Sequence, residues 1–168
     1  MAALAHIAVG LAASRAVPKP PSMSQFKHMV VFVLLADALD LIWRVLCLAG
    51  IEHDPSPGPW SHGLFMSVVW SAIAVLVAWR VSDSVRTGVL VGLVVYSRWV
   101  LDYITHPMTA LIPSDRGLLL LFDGSPEVGL GLYRTRLGVY LCESGSFLLG
   151  AVICLRTLKK IKPEGQTT

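Results

Sequence analysis

Asp37 and Asp40 stand three residues apart in an otherwise apolar stretch, ADALDLIWR, with Arg44 four residues beyond Asp40. Residues three and four apart share one face of a helix, so the three charges would project together. A second set, in YSRWVLDYITHP, spaces Arg98, Asp102 and His106 at successive intervals of four. His6 lies in an early apolar run, His62 in PWSHGLF, and Glu143 near the start of the last run. Imidazole and carboxylate are the donors that zinc and similar divalent ions accept, and both also serve as general acids and bases. Each group taken alone has a plainer use. Asp40 could pair with Arg44, Arg98 could pair with Asp102 while His106 ends the helix, His62 could be an interfacial histidine, and His6 and Glu143 could be structural. Against these uses stands the cost of an ionised side chain at the centre of a membrane, about 2.5 to 3.5 kcal/mol even on a lenient scale. Several such groups need partners or a function.

The elements that must carry these residues are apolar. Hydrophobic residues make up 54% of the 168 and charged residues 15%, too little charge to cover a water-soluble fold of this size. Four long runs, His28 to Ile51, His62 to Trp79, Val85 to Ile104 and Leu137 to Leu158, approach the length of about 20 residues that spans hydrocarbon. A fifth, Met1 to Ser14, gives about 21 Å of helix against a core of about 30 Å. It is expected to be retained rather than cleaved as a signal, because the first basic residue, Arg15, follows the apolar stretch instead of preceding it. The expected fold is an all-α integral membrane bundle of about five spans, the first one short. It forms a single domain over residues 1–158, followed by a basic tail over 159–168.

Basic residues set the expected orientation, since Lys and Arg near span ends favour the cytoplasmic side. Nine flank one set of ends (Arg15, Lys19, Lys27, Arg80, Arg86, Arg156, Lys159, Lys160 and Lys162) and three the other (Arg116, Arg134 and Arg136). This places the N-terminus outside and the C-terminus inside. The long connection from Pro107 to Arg136 then lies outside, and its apolar segments LLLLF and VGLGLY, flanking the turn signal DGSP, suggest a hairpin or flap over the outer face. With a rise of about 1.5 Å per residue, His6, Asp37, Asp40, His62, Asp102 and Glu143 all fall in the outer half of the membrane.

Several function classes are disfavoured. A net charge of +3, with the basic residues at helix ends, does not suit a nucleic-acid partner. Cys47, Cys142 and Cys154 form no C-x-x-C pair and suggest neither a disulfide framework nor a thiolate metal site. The lone GLG lacks the spacing of a phosphate-binding loop.

The order of the motifs resembles the predicted membrane-bound metal-dependent hydrolases, the LexA-regulated inner-membrane hydrolase-like group, over most of the chain. Ala5-His6 resembles an early G-H or A-H, and ADALD with Asp37 and Asp40 resembles a P-D-x-D-like motif. GIEH keeps Glu52 and His53, and Ser61-His62-Gly63 resembles T-H-S or S-H-S. Ser97 to His106 resembles S-H-x-x-x-D-x-x-T-H, and GLGLY with Glu143 resembles a late GLGLW followed by Glu. The chain departs from this pattern at Ala36, where Pro is usual, at Gly63, where Ser is usual, and at Arg98, which stands in a His position.

The resemblance implies hydrolysis assisted by one or two divalent ions, zinc first. His6, Asp37, His62 and Asp102 are the expected ligands, with Asp40 or Glu143 as ligand or general base. Arg98 would pair with Asp102 or clamp an anionic substrate oxygen. A site near the outer interface suggests a lipid headgroup, phosphoester or other amphiphile as substrate, in the plasma or inner membrane of a bacterium or archaeon. Two non-enzymatic readings remain beside it: a path for an ion, proton or small solute, and a scaffold held by ion pairs or metal.

Overall fold

A computed structural model of the chain describes residues 3–53, 58–105 and 130–159. Among them the regular structure is helical throughout: α1 (Ala3–Ala16), α2 (Gln25–Ala36), α3 (Ala38–Leu48), the short α4 (Pro59–His62), α5 (Leu64–Ser82), α6 (Val85–Thr105) and α7 (Arg136–Lys159), with a 3₁₀ turn at Leu132–Arg134 before α7. Three helical segments, Leu64–Ser82, Val85–Thr105 and Arg136–Ile153, are long and apolar enough to cross a membrane, while Leu4–Ala16 and Gln25–Ala36 are shorter apolar helices. The protein is thus a helical membrane bundle.

The run expected as one helix from His28 to Ile51 is broken at Asp37. That residue adopts φ −101°, ψ 13° between α2 and α3, outside regular helical geometry. The ladder resumes at once, with the amides of Asp40 and Leu41 donating to the Asp37 carbonyl. Ser24 caps the start of α2 by accepting from the Lys27 amide at 3.3 Å. At the far end of α3, Gly50 takes a left-handed φ of 71°. Its amide donates to Cys47 and that of Ile51 to Leu46, the paired bonds that close a helix and turn the chain away. The third expected run is likewise divided: His62 ends α4, and Gly63, extended at φ −63°, ψ 147°, separates it from α5.

Helix α6 lies against α1, α2, α3 and α5. Its buried face carries Gly88, Val91, Val95, Arg98, Asp102 and Thr105 at helical spacing, apolar at the start and charged towards the end. Val91 and Val94 pack with Val17, Phe32 and Ala36, and Val95 and Trp99 with Leu39. The outward faces of α5 and α7, including Phe65, Leu76, Leu141 and Leu148, are exposed apolar surface of the kind hydrocarbon covers.

Two ends of the bundle are distinguishable. The starts of α1, α5 and α7 and the end of α6 form one of them. At the other, the Arg15 guanidinium donates to the Arg156 carbonyl at 3.1 Å, joining the ends of α1 and α7.

Candidate functional site

Arg98 is the centre of a charged cluster at the first of these ends. It is 4% exposed, so its guanidinium has to find its partners within the protein. Nη2 lies 2.9 Å from Asp40 Oδ1 and 2.8 Å from Oδ2. Nε is 3.1 Å from Asp102 Oδ2, one helical turn along α6, and Nη1 is 3.6 Å from Asp37 Oδ1. The break at Asp37 lets that junction residue and Asp40 of α3 approach the same cation. The ion pair expected within α3 does not form: Asp40 turns to Arg98, and the Arg44 guanidinium lies over the Trp43 ring, 4.5 Å from its centroid. The Arg98–Asp102 pair does form, as one arm of the larger network.

Two histidines close the cluster. His62 Nε2 lies 3.0 Å from Asp40 Oδ1 and 3.7 Å from Asp102 Oδ2. His6 reaches Asp102 from α1, with Nε2 3.9 Å from Oδ1. Its side chain is fully buried, yet neither ring nitrogen has a hydrogen-bond partner among the described residues. Leaving a buried polar group unsatisfied costs about 1 to 3 kcal/mol, and His6 shares this state with the Arg98 Nε, which faces Asp102 without a hydrogen bond of good geometry. The charge balance points the same way: three carboxylates surround one guanidinium.

Six of the seven residues singled out from sequence therefore meet: His6, Asp37, Asp40, His62, Arg98 and Asp102. The seventh, Glu143, does not join these contacts; it accepts a hydrogen bond of 2.6 Å from the Tyr133 hydroxyl. Burial, the Glu143 hydrogen bond and the carboxylates nearby, Asp102 among them, push the Tyr133 hydroxyl above its ordinary pKa and keep it a donor. His106 and most of the flap expected between Pro107 and Arg136 lie outside the described residues.

Sequence reasoning did not assign two further residues to the site. Glu52 is 1% exposed; its Oε1 accepts from the Ser61 amide at 2.9 Å and its Oε2 from the Ser61 hydroxyl at 2.6 Å. The Ser61 oxygen in turn lies 2.8 Å from His62 Nδ1. The motif resemblance named both residues without giving either a role, and their spacing of nine across a Gly/Pro-rich loop carried no signal of contact.

The donor types suit a divalent cation, since imidazoles and carboxylates are what such ions take and the carboxylate excess invites positive charge. The buried His6 ring, which faces Asp102 without a hydrogen bond, is the observation that fits one best. In the arrangement described, no three His, Cys, Asp or Glu side chains among the described residues are disposed as a ligand group, and the position between Asp40 and Asp102 is taken by the Arg98 guanidinium. No family model matches the chain, and no curated protein or solved structure matches it either.

Proposed function

We propose that the protein is a membrane-embedded, metal-dependent hydrolase that acts near the outer interface of a bacterial or archaeal plasma membrane on a lipid headgroup, phosphoester or other amphiphile. The observation that carries this reading is the meeting of His6, Asp40, His62 and Asp102 from separate helices, with the His6 ring buried and without a hydrogen bond. His6, His62 and Asp102 would hold the cation, with Asp37 and Asp40 completing its surroundings. A divalent cation, zinc first, supplies Lewis acidity towards a carbonyl or phosphoryl oxygen. The chain's own groups provide the rest. Asp40, half-buried between Arg98 and His62, would be the carboxylate that takes a proton, and Glu143 beside Tyr133 is the second candidate. Arg98 Nη1 lies 3.6 Å from Asp37, whose side chain is 34% exposed. That edge of the guanidinium suits an anionic headgroup oxygen.

A second reading has one observation in its favour. Arg98 already joins α6 to Asp37 and Asp40, as a scaffold held by ion pairs would require. Metal analysis separates the two. Protein purified gently without chelator is expected to retain near-stoichiometric metal, and His6→Ala, His62→Ala and Asp102→Ala to lose most of it. A parent protein that is metal-free and takes up neither Zn²⁺ nor Mn²⁺ would leave the scaffold reading standing and remove the hydrolase.

A further inference from the structure

Helix α7 is joined to the bundle on one side only. Among the described residues it packs against α1 and the 3₁₀ turn Leu132–Arg134, whereas α6 packs against α1, α2, α3 and α5. The two helices stand on either side of α1 without extensive packing between them. One edge of α1 turns towards α6, where His6 approaches Asp102 and Val17 packs with Val91 and Val94. Another turns towards α7, where Ala8 meets Gly150 and Arg15 bonds to the Arg156 carbonyl. At 3.6 residues per turn Ala5, Ala12 and Ala16 form a stripe between these edges, on the side of α1 opposite Gly10, which meets Val33 of α2. Ala5 is buried, while Ala12 and Ala16 are exposed. On α6 the positions adjoining the α1 contact, Leu90, Ser97, Leu101 and Ile104, are half-buried.

This side of α1 ends at the charged cluster, and there a strap crosses it. The Leu130 amide donates to the Tyr103 carbonyl at 2.8 Å, which ties the segment Leu130–Thr135 to α6. Gly131 turns the chain with a left-handed φ of 60°. The Tyr133 hydroxyl then donates to Glu143 of α7 at 2.6 Å, and a Cβ at Gly138 would collide with the Leu132 carbonyl, so the turn is seated directly on α7. Asp102 contributes to the raised pKa of the Tyr133 hydroxyl, which puts the strap near the cluster. With the strap in this position His6 is 0% and Asp102 5% exposed.

The distances suit a membrane amphiphile. Ala12 and Ala16 lie about 9 and 15 Å along α1 from His6, a span comparable with one leaflet of a hydrocarbon core about 30 Å thick. A chain hanging from a polar head at the cluster would lie over both alanines.

We propose that the alanine stripe between α6 and α7 is a lateral groove that seats the acyl chain of a membrane phospholipid with its head towards the His/Asp cluster, and that the Tyr133–Glu143 bond latches the groove at the cluster end. As a route for substrate the groove rests on the function proposed above; as a chain-binding surface it rests on the helix packing alone. The latch gives the strap its role: lifting it uncovers His6 and Asp102 to a head already held by its chain.

Photolabelling of purified full-length protein in detergent tests this. The probe is a phosphatidylglycerol with a diazirine in one acyl chain, and labelled positions are mapped by mass spectrometry. Labelling over Ala12 to Ala16 and Ser97 to Ile104 is expected to saturate and to be competed away by unlabelled phosphatidylglycerol. The outward face of α5, Phe65 to Leu76, should label only in proportion to probe. Ala12→Phe and Ala16→Phe should each fill the groove and abolish the saturable labelling, scored in whichever keeps the parent's thermal stability. Tyr133→Phe, which cannot donate, should speed labelling at the groove by about 5-fold, the worth of one hydrogen bond. Glu143→Gln keeps an acceptor and should label at the parent's rate. Labelling in proportion to probe at α1, α5 and α6 alike would overturn the groove, and a Tyr133→Phe rate equal to the parent's would overturn the latch. Saturable labelling of a protein that binds no Zn²⁺ would leave the groove standing and remove the hydrolase. Zn²⁺ binding with uniform labelling would do the reverse.

Discussion

Polar residues inside apolar runs are legible in sequence because hydrocarbon gives them nothing to bond to. His6, Asp37, Asp40, His62, Arg98 and Asp102 were all visible on that ground, and they meet. Glu52 and Ser61 were not, because they flank a loop where polar residues are ordinary; only coordinates reveal that Glu52 is 1% exposed and bonded to Ser61. Glu143 shows the converse limit: it was visible as a carboxylate in the last apolar run, but not that Tyr133 would hold it at 2.6 Å.

Arg98 carries the sharpest prediction at this scale. A guanidinium has five donors and no lone pair, so it contributes charge where an imidazole would contribute a bond to metal. Arg98→His is expected to raise Zn²⁺ affinity or stoichiometry and to weaken binding of an anionic amphiphile. Arg98→Lys should impair anion binding without adding a ligand. Titrating the three forms with Zn²⁺ decides the matter, and identical binding by parent and Arg98→His would mean that position 98 does not influence the cation. Arg98→Ala serves as the stability control. Removing one partner from a buried ion-pair network costs about 3 to 5 kcal/mol, so a clear fall in thermal stability is expected there.

At the level of elements, apolar length located α5, α6 and α7 but did not resolve the breaks at Asp37 and Gly63. The first break occurs after Ala36, with neither Gly nor Pro to announce it, and is visible only as one residue's dihedral angles. Each break serves the site, bringing the junction residue Asp37 and Asp40 of α3 to one cation and freeing His62 from the start of α5. The α5–α6 pair depends instead on close approach. Small residues allow this in membranes, where van der Waals packing must hold helices together without a hydrophobic driving force between them. A Cβ at Gly88 would lie 2.7 Å from the Val75 carbonyl oxygen and 3.0 Å from the Trp79 Cβ, and the first of these is backbone that cannot rotate away. Gly88→Ala is therefore expected to separate the helices and destabilise the protein by about 1 to 3 kcal/mol despite alanine's better helix propensity. Thermal unfolding in detergent measures it. A variant as stable as the parent, or more so, would show that the two helices are not locked at this crossing.

The whole molecule has a basic end and an end that carries the His/Asp cluster, and this polarity makes its orientation in the membrane testable. His6 is near the start of α1, Asp102 near the end of α6 and His62 just before α5, so the charged cluster gathers where these helices meet the Glu52 loop. Arg15 and Arg156 adjoin at the opposite end, joined by the 3.1 Å bond between guanidinium and carbonyl. Arg80 and Arg86 flank the α5–α6 connection, which the antiparallel hairpin also places away from the cluster. Lys and Arg near span ends favour the cytoplasmic side, and among the described residues Arg15, Arg80, Arg86 and Arg156 lie towards one end of the bundle while Arg134 and Arg136 precede α7 at the other. The expected orientation is cluster outward, with residues 107–136 outside and the tail after Leu158 in the cytoplasm. In a background where Cys47, Cys142 and Cys154 are replaced, single cysteines at Ser125 and Thr167 can be challenged in intact cells with a membrane-impermeant thiol reagent. Ser125→Cys should label readily and Thr167→Cys only after the cells are opened. The reverse pattern would invert the protein, put the His/Asp cluster at the cytoplasmic face, and limit its substrates to those of the inner leaflet and cytosol. Labelling of neither position in intact cells, with both reacting after lysis, would place both segments inside and contradict the expected crossings between them.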